Sequence, residues 1–231
     1  MPPRAPEPAG VGLVDKPRGP SSFAIVAQIR SRTGARTGHA GTLDPFATGL
    51  LLVLSGRATK LAPLLVGLDK RYRAEIDLTC RTSTGDPEGE VVERLEPPSE
   101  RELAERLERL RGEIELPVPA ASAVKIGGER AYRLARRGAA VEMPLRRSTV
   151  YALQVAAFSG ARVTLDLHVS SGTYVRALAD ALGGHCAALR RTTVGPFSVE
   201  DAVPPDELTP ERLLPEAEVR ARVEAARAGA R

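Results

Sequence analysis

Apolar and polar residues alternate without a break from Arg71 to Cys80. Tyr72, Ala74, Ile76, Leu78 and Cys80 fall on one side, and Arg71, Arg73, Glu75, Asp77 and Thr79 on the other. A period of two predicts a strand with one buried face. Val163, Leu165, Leu167 and Val169 repeat the period within a strand predicted over 162–169, and a partner strand is expected over 148–158. The run 50–54 is wholly apolar, which predicts a strand buried on both faces, and Val11 and Val14 bound a shorter one. Helical spacing places Phe23, Val26 and Ile29 on one face of a helix capped by Ser21 or Ser22 and ending near Thr33. Ser99 and Glu102 form a capping box ahead of Leu103, Leu107 and Leu110. Residues 59–68 read as helical despite Pro63, 129–137 as a short basic helix stopped by Gly138, and 174–182 as a helix followed by a further segment over 185–191. Residues 34–49 and 116–128 read as loop, and 84–89 as a turn into a strand over 90–95. Strands and helices mix without regular βαβ alternation. The fold class expected is therefore α+β, a mostly antiparallel sheet flanked by helices.

Composition adds bounds. The 231 residues are 42% hydrophobic and 27% charged, the balance of a globular protein. No apolar run approaches the roughly 20 residues of a membrane helix. The proline-rich residues 1–10 lack the apolar segment of a signal peptide and read as a disordered lead-in. Cys80 and Cys186 are far apart and form no C-x-x-C pair, which disfavours a disulfide framework or a zinc site and suits a reducing cytoplasm. No heptad or long apolar edge is evident, so a monomer is expected. The net charge of +4 is unevenly spread. Lys125, Arg130, Arg133, Arg136, Arg137, Arg146 and Arg147 crowd one stretch, whereas 200–218 carries Glu200, Asp201, Asp206, Glu207, Glu211, Glu216 and Glu218 against Arg212 alone. Two basic stretches, 125–147 and 15–39, suit a phosphate backbone.

Candidate chemistry is sparse. The chain has no phosphate-cradling G-x-x-x-x-G-K-[ST], no G-x-G-x-x-G and no G-x-S-x-G, and His39, His168 and His185 are scattered. No cofactor or metal is expected, and any reaction falls to side chains. In the run G-H-A-G-T-L-D-P-F-A-T-G over 38–49 a lone carboxylate, Asp44, precedes Pro45. By spacing alone this fits a helix N-cap with proline in the first turn.

That run resembles the catalytic motif of the TruB-type tRNA pseudouridine synthases. Five further blocks resemble the same family in the same order: L-V-D-K-P-R-G-P-S-S (13–22), D-K-R-Y-R (69–73), S-A-V-K-I-G-G-E-R-A-Y (122–132), S-S-G-T-Y-V-R-A-L-A-D (170–180) and A-L-R-R-T-T-V-G-P-F (188–197). The resemblance spans about 11–203 and implies a pseudouridine-synthase fold with a tRNA-clamping insertion over 122–147. It implies isomerisation of uridine 55 in the T loop, with Asp44 as the catalytic carboxylate, Arg176 as its cationic partner, and Tyr72 stacking on the base and taking the C5 proton. Lys16, Tyr174 and Leu189 are implied near the uracil pocket, and His39 supports the flipped-out base. Lys125, Arg136 and Arg137 fall in the clamp. The family pattern also includes a C-terminal PUA module, for which the acidic residues 204–231 are too few, and a longer connection than the one here between Gly183 and His185. A non-catalytic tRNA-binding protein and a metal-dependent nuclease using His39 and Asp44 stand as rival readings, and the intact Asp44 and the lack of further ligands nearby disfavour them.

Overall fold

The structure is a computed structural model that describes residues 8–122, 124–131, 137 and 142–229. Its strands are β1 (Gly10–Lys16), β2 (Thr37–Ala40), β3 (Thr48–Ser55), β4 (Lys70–Asp77), β5 (Cys80–Thr82), β6 (Val91–Arg94), β7 (Gly112–Pro117), β8 (Lys125–Ile126), β9 (Glu129–Arg130), β10 (Leu145–Phe158), β11 (Arg162–Val169), β12 (His185–Val194) and β13 (Phe197–Ser198). The helices are α1 (Ser22–Thr33), α2 (Ala62–Val66), α3 (Glu100–Glu108), α4 (Val175–Ala181) and α5 (Glu216–Gly229). The chain divides into two compact units, residues 1–71 with 190–231, and residues 72–189.

The first unit is built on β3. β1 runs antiparallel along it from Gly10↔Ser55 to Lys16↔Gly49. β2 pairs antiparallel with residues 52–55, and β12 pairs parallel at Arg190↔Thr48 and Arg191↔Gly49. The apolar run of β3 is buried on both faces. Leu50, Leu52 and Leu54 pack with Leu61, Leu65, Phe197, Val219 and Val223, while Leu51 and Val53 pack with Ile25, Ile29 and Leu208. Ser21 caps α1, whose buried positions are Ser22, Ile25, Val26 and Ile29. Phe23, expected on that face, is turned out and 68% exposed. The stretch containing Pro63 splits into a 3-10 turn and α2, with the proline in the first turn where no amide is missed. Residues 34–49, read as loop, contain β2, because the short polar segment takes its ladder bonds from the apolar β3. Pro8 is already tied in as acceptor of the Ser55 hydroxyl, and Gly10 opens β1. Residues after 203 pack onto the same core. Val11 and Leu214 exchange two backbone hydrogen bonds at 2.9 Å, and α5 buries Val219 and Val223.

In the second unit the strand order is β4-β11-β10-β7. β10 pairs antiparallel with β11 (Leu153↔Leu167) and with β7 (Ser148↔Ile114). The alternations of β4 and β11 bury Tyr72, Ala74, Ile76, Val163, Leu165, Leu167 and Val169. The strand expected to reach Cys80 stops at Asp77. The Asp77 carboxylate accepts the Thr79 amide at 2.9 Å and its hydroxyl at 2.5 Å, a local turn that breaks the ladder, and Cys80 opens β5 instead. β5 and β6 form a hairpin. α3 has the expected capping box and buries Leu103 and Leu107. β7 reaches into the stretch read as irregular, since Pro117 ends an edge strand and gives up no ladder donor. The helix expected from 129 is displaced at its start by β9. Gly127 and Gly128 sit at φ +57° and +88° and fold 125–130 into a two-residue hairpin. Positions 132–136 and 138 of that expected helix lie outside the described residues. α4 follows Tyr174 as predicted, and the segment after 185 is the strand β12.

Candidate active site

Asp44 does not cap a helix. It opens a tight turn in which its carbonyl accepts the Ala47 amide at 3.1 Å, and Pro45 supplies the fixed φ of the second turn position. The turn joins β2 to β3, so the helical reading fails because the chain must return to pair with β3 at once. Leu43, Phe46 and Ala47 are buried, and Asp44 between them is half-exposed. The Ser22 hydroxyl, 1% exposed, donates to the Leu43 carbonyl at 2.9 Å and accepts the Leu43 amide at 2.8 Å. Lys16 is fully buried. Its ammonium donates to the carbonyls of Pro17 and Pro20 at 2.8 Å and of Pro45 at 3.3 Å, and the Gly19 amide donates to Pro45 at 2.8 Å. Lys16 thus joins the 17–20 loop to the Asp44 turn.

Arg191, given no role by the sequence, organises the same corner of the first unit. It is 1% exposed and donates to the carbonyls of Leu50 at 2.7 Å, Gly41 at 3.0 Å and Thr42 at 3.5 Å. It therefore closes the gap where β2 leaves β3 and β12 takes its place. Gly49 (φ +102°) permits that junction, since a Cβ there would stand 2.2 Å from the Arg191 carbonyl oxygen. His39 lies on β2, and its Nδ1 is buried without a hydrogen-bond partner. Burial pushes its pKa below the ordinary 6.5, and the Arg191 guanidinium pushes the same way. Lys70, 5% exposed, donates to the Val66 carbonyl at 2.6 Å and to that of Leu68. Its pKa is lowered to about 8, first by burial and then by the charge of Arg191.

The second unit carries Tyr72, Tyr174, Arg176 and Leu189. Tyr72 is 9% exposed on β4, Leu189 is buried on β12, and Tyr174 stands at the N-terminus of α4. Arg176 is buried. Its guanidinium donates to the carbonyls of Thr84 at 2.8 Å and Ala121 at 3.0 Å, and pairs with Asp86 at 3.3 Å. Asp86 is held in turn by the Thr84 hydroxyl at 2.5 Å and the Glu88 amide at 3.0 Å. In the sequence Asp86 reads only as a turn residue before proline. Gly85 (φ +72°) keeps its backbone close to Arg176, with a built Cβ 3.5 Å from the Arg176 Cβ.

Of the expected phosphate contacts, Lys125 lies in β8 and Arg136 outside the described residues. Arg137 is exposed and pairs with Glu129 at 2.7 Å. Among the described residues the cluster with metal-ligand chemistry is Asp77, Cys80 and His185, which includes neither His39 nor Asp44. The fold brings Cys80 and His185 together across 105 positions, a meeting that their separation in the sequence does not show.

Comparison with known proteins gives the geometry a context. Residues 29–175 match the model of the TruB family pseudouridylate synthase N-terminal domain. The chain is 44% identical over 218 residues to the tRNA pseudouridine synthase B of Mycobacterium sp. (strain KMS), covering 89% of this chain and 73% of the relative. It is 46% identical over 227 residues to the enzyme of the same name from Thermobifida fusca (strain YX), covering 90% and 78%. Among solved structures, a chain of a Cbf5-Nop10-Gar1 complex superposes with a TM-score of 0.65 at 30% identity over 84% of this chain. The match spans 52% of that solved chain, about half its length. No helix among the described residues is long and apolar enough to cross a membrane.

Proposed function

The chain belongs to the TruB family of pseudouridylate synthases, and from that premise we propose that it isomerises uridine 55 in the T loop of tRNA to pseudouridine. The carrying observation is the block 38–49, matched to the family and holding Asp44 in a turn braced from below by Lys16, Ser22 and Arg191. The reaction breaks the N1–C1′ bond, turns the uracil and joins C5 to C1′. The proton lost from C5 is balanced by one gained at N1. No redox step or external reactant enters, which suits a site made of side chains. Asp44 supplies the carboxylate, as nucleophile or as base at the sugar. It must be ionised, and in this reading Arg176 favours that form. Tyr72 stacks on the extruded base and takes the C5 proton, Tyr174 and Leu189 line the uracil, and His39 supports the flipped-out strand. Extruding the base costs a few kcal/mol of stacking, which phosphate contacts from Lys125, Arg136 and Arg137 offset.

The enzyme acts as a cytoplasmic monomer on the T-arm stem-loop, without a metal in the chemistry. Incubating the protein with a T-arm stem-loop and mapping pseudouridine tests the whole reading. Product is expected at the position equivalent to 55, in EDTA as well as without it, with light scattering giving one protein per RNA. Binding with no product would leave an RNA-binding protein in place of the enzyme.

A further inference from the structure

The second unit contains a His/Cys/Asp cluster that the reaction does not use. Asp77 ends β4, Cys80 opens β5 and His185 opens β12. One potential ligand atom from each lies within 4.8 Å of the others. The Cys80 Sγ stands 3.6 Å from the His185 Nδ1. A tetrahedral zinc ion, at roughly 2.3 Å from sulfur and 2.0–2.1 Å from nitrogen, separates those two atoms by about 3.6 Å. The backbone is shaped to allow the approach. The Asp77–Thr79 turn folds the 77–80 corner, and Gly184 lets the chain entering β12 press against β4, since a Cβ there would stand 2.2 Å from the Asp77 carbonyl oxygen. His185 is 8% exposed and the other two are half-buried, so the site is sheltered yet reachable.

We propose that Asp77, Cys80 and His185 form a binding site for a zinc-class divalent cation, which ties β4, β5 and β12 together. Thiolate and carboxylate together neutralise the dication, with a neutral imidazole as third ligand and water in the fourth position. Three present contacts give way. The Nδ1 now lies 3.1 Å from the Cys80 carbonyl, and metal binding moves the imidazole proton to Nε2. The Cys80 thiol proton is released to solvent. Arg162, 57% exposed and 3.4 Å from one Asp77 oxygen, swings onto Glu75, which it already holds at 2.7 Å. The other Asp77 oxygen keeps Thr79.

Titration of the chelator-treated protein with Co2+ reads the site directly. A cobalt–thiolate charge-transfer band growing to one equivalent, and erased by added Zn2+, is expected. Asp77→Asn and His185→Gln should each weaken Co2+ binding at least tenfold. Cys80→Ser should abolish the band, while Cys186→Ser, which alters the other thiol, leaves it. Zn2+ should raise the melting temperature of the wild type but not of Cys80→Ser, whose folding is checked by retained tRNA binding. No band in the wild type, or a band that survives Cys80→Ser, overturns the proposal. The cluster shares no residue with the proposed catalytic set, so a failure here leaves the isomerase reading untouched.

Discussion

A carboxylate that must meet one carbon atom needs a backbone that does not wander, and Asp44 has one. Buried Leu43 and Phe46 flank it, and Ser22 and Lys16 take up the carbonyls on either side. The isomerase reading makes its charge indispensable: Asp44→Asn should abolish pseudouridine formation while tRNA affinity, measured by filter binding, stays within about twofold. Lys16→Met removes the donor shared by three half-buried carbonyls and should destabilise the fold by about 1.5–3 kcal/mol in a denaturant titration, the range for a hydrogen bond made by a charged group. The block that holds Asp44 was legible in the sequence as a family motif because the whole of it is local. The burial of Lys16 was not, because D-K-P-R-G-P has the composition of a charged loop, and only folding brings the carbonyls of residues 17, 20 and 45 around one ammonium. His39 adds a pH dependence. Its folded pKa lies below 6.5, so the unfolded chain binds more protons once the pH falls under that value. Its contribution to stability is full above pH 6.5 and is lost as the pH drops toward the folded pKa. The His39→Gln variant should show a shallower acid-side loss of stability.

The meeting of β2, β3 and β12 shows why an element can be invisible locally yet fixed in the fold. β2 is four residues, mostly polar, and gains its form from the ladder with β3. By contrast β4 and β11 announce themselves, because one face of each is buried and the period of two is written in every residue. Even there the end of β4 was misjudged. Cys80 continues the alternation in type, but the Asp77 side chain offers the backbone a competing turn. Gly49 is the hinge of the β3–β12 pairing. Gly49→Ala would set a Cβ against the main chain of Arg191, not against a side chain that could yield, and in a backbone region that itself costs about 1–3 kcal/mol. A loss of at least about 3 kcal/mol in chemical denaturation is expected, and a variant of wild-type stability would mean that the two strands do not pair so closely.

At the level of the entire chain, charge is sorted along the sequence, and in the proposed isomerase reading that sorting sets how RNA is held. The acidic residues from 200 to 218 belong to a segment packed on the first unit's core, where Leu208, Val219 and Val223 are buried, so they are fixed in place on a folded surface. The basic residues of 125–147 were read from the sequence as a phosphate-binding stretch, and spacing could not reveal that Arg137 already has a carboxylate partner in Glu129. An exposed pair of this kind is worth about 0–1 kcal/mol, so a phosphate can displace the Glu129 carboxylate with little loss. Each phosphate neutralised releases counterions and steepens the fall of log K with log salt by about 0.7–0.9. Replacing Arg136 and Arg137 together by glutamine should therefore reduce that slope by about 1–2, raise Kd most at low salt, and leave the single-turnover rate at saturating enzyme unchanged. Restoring Arg136 alone should recover about half of the lost slope if the two cations act as independent phosphate contacts. An unchanged slope in the double variant would mean that these arginines are ordinary solvated surface, and that the RNA backbone is gripped by the other basic stretch, around Arg18, Arg30, Arg32 and Arg36.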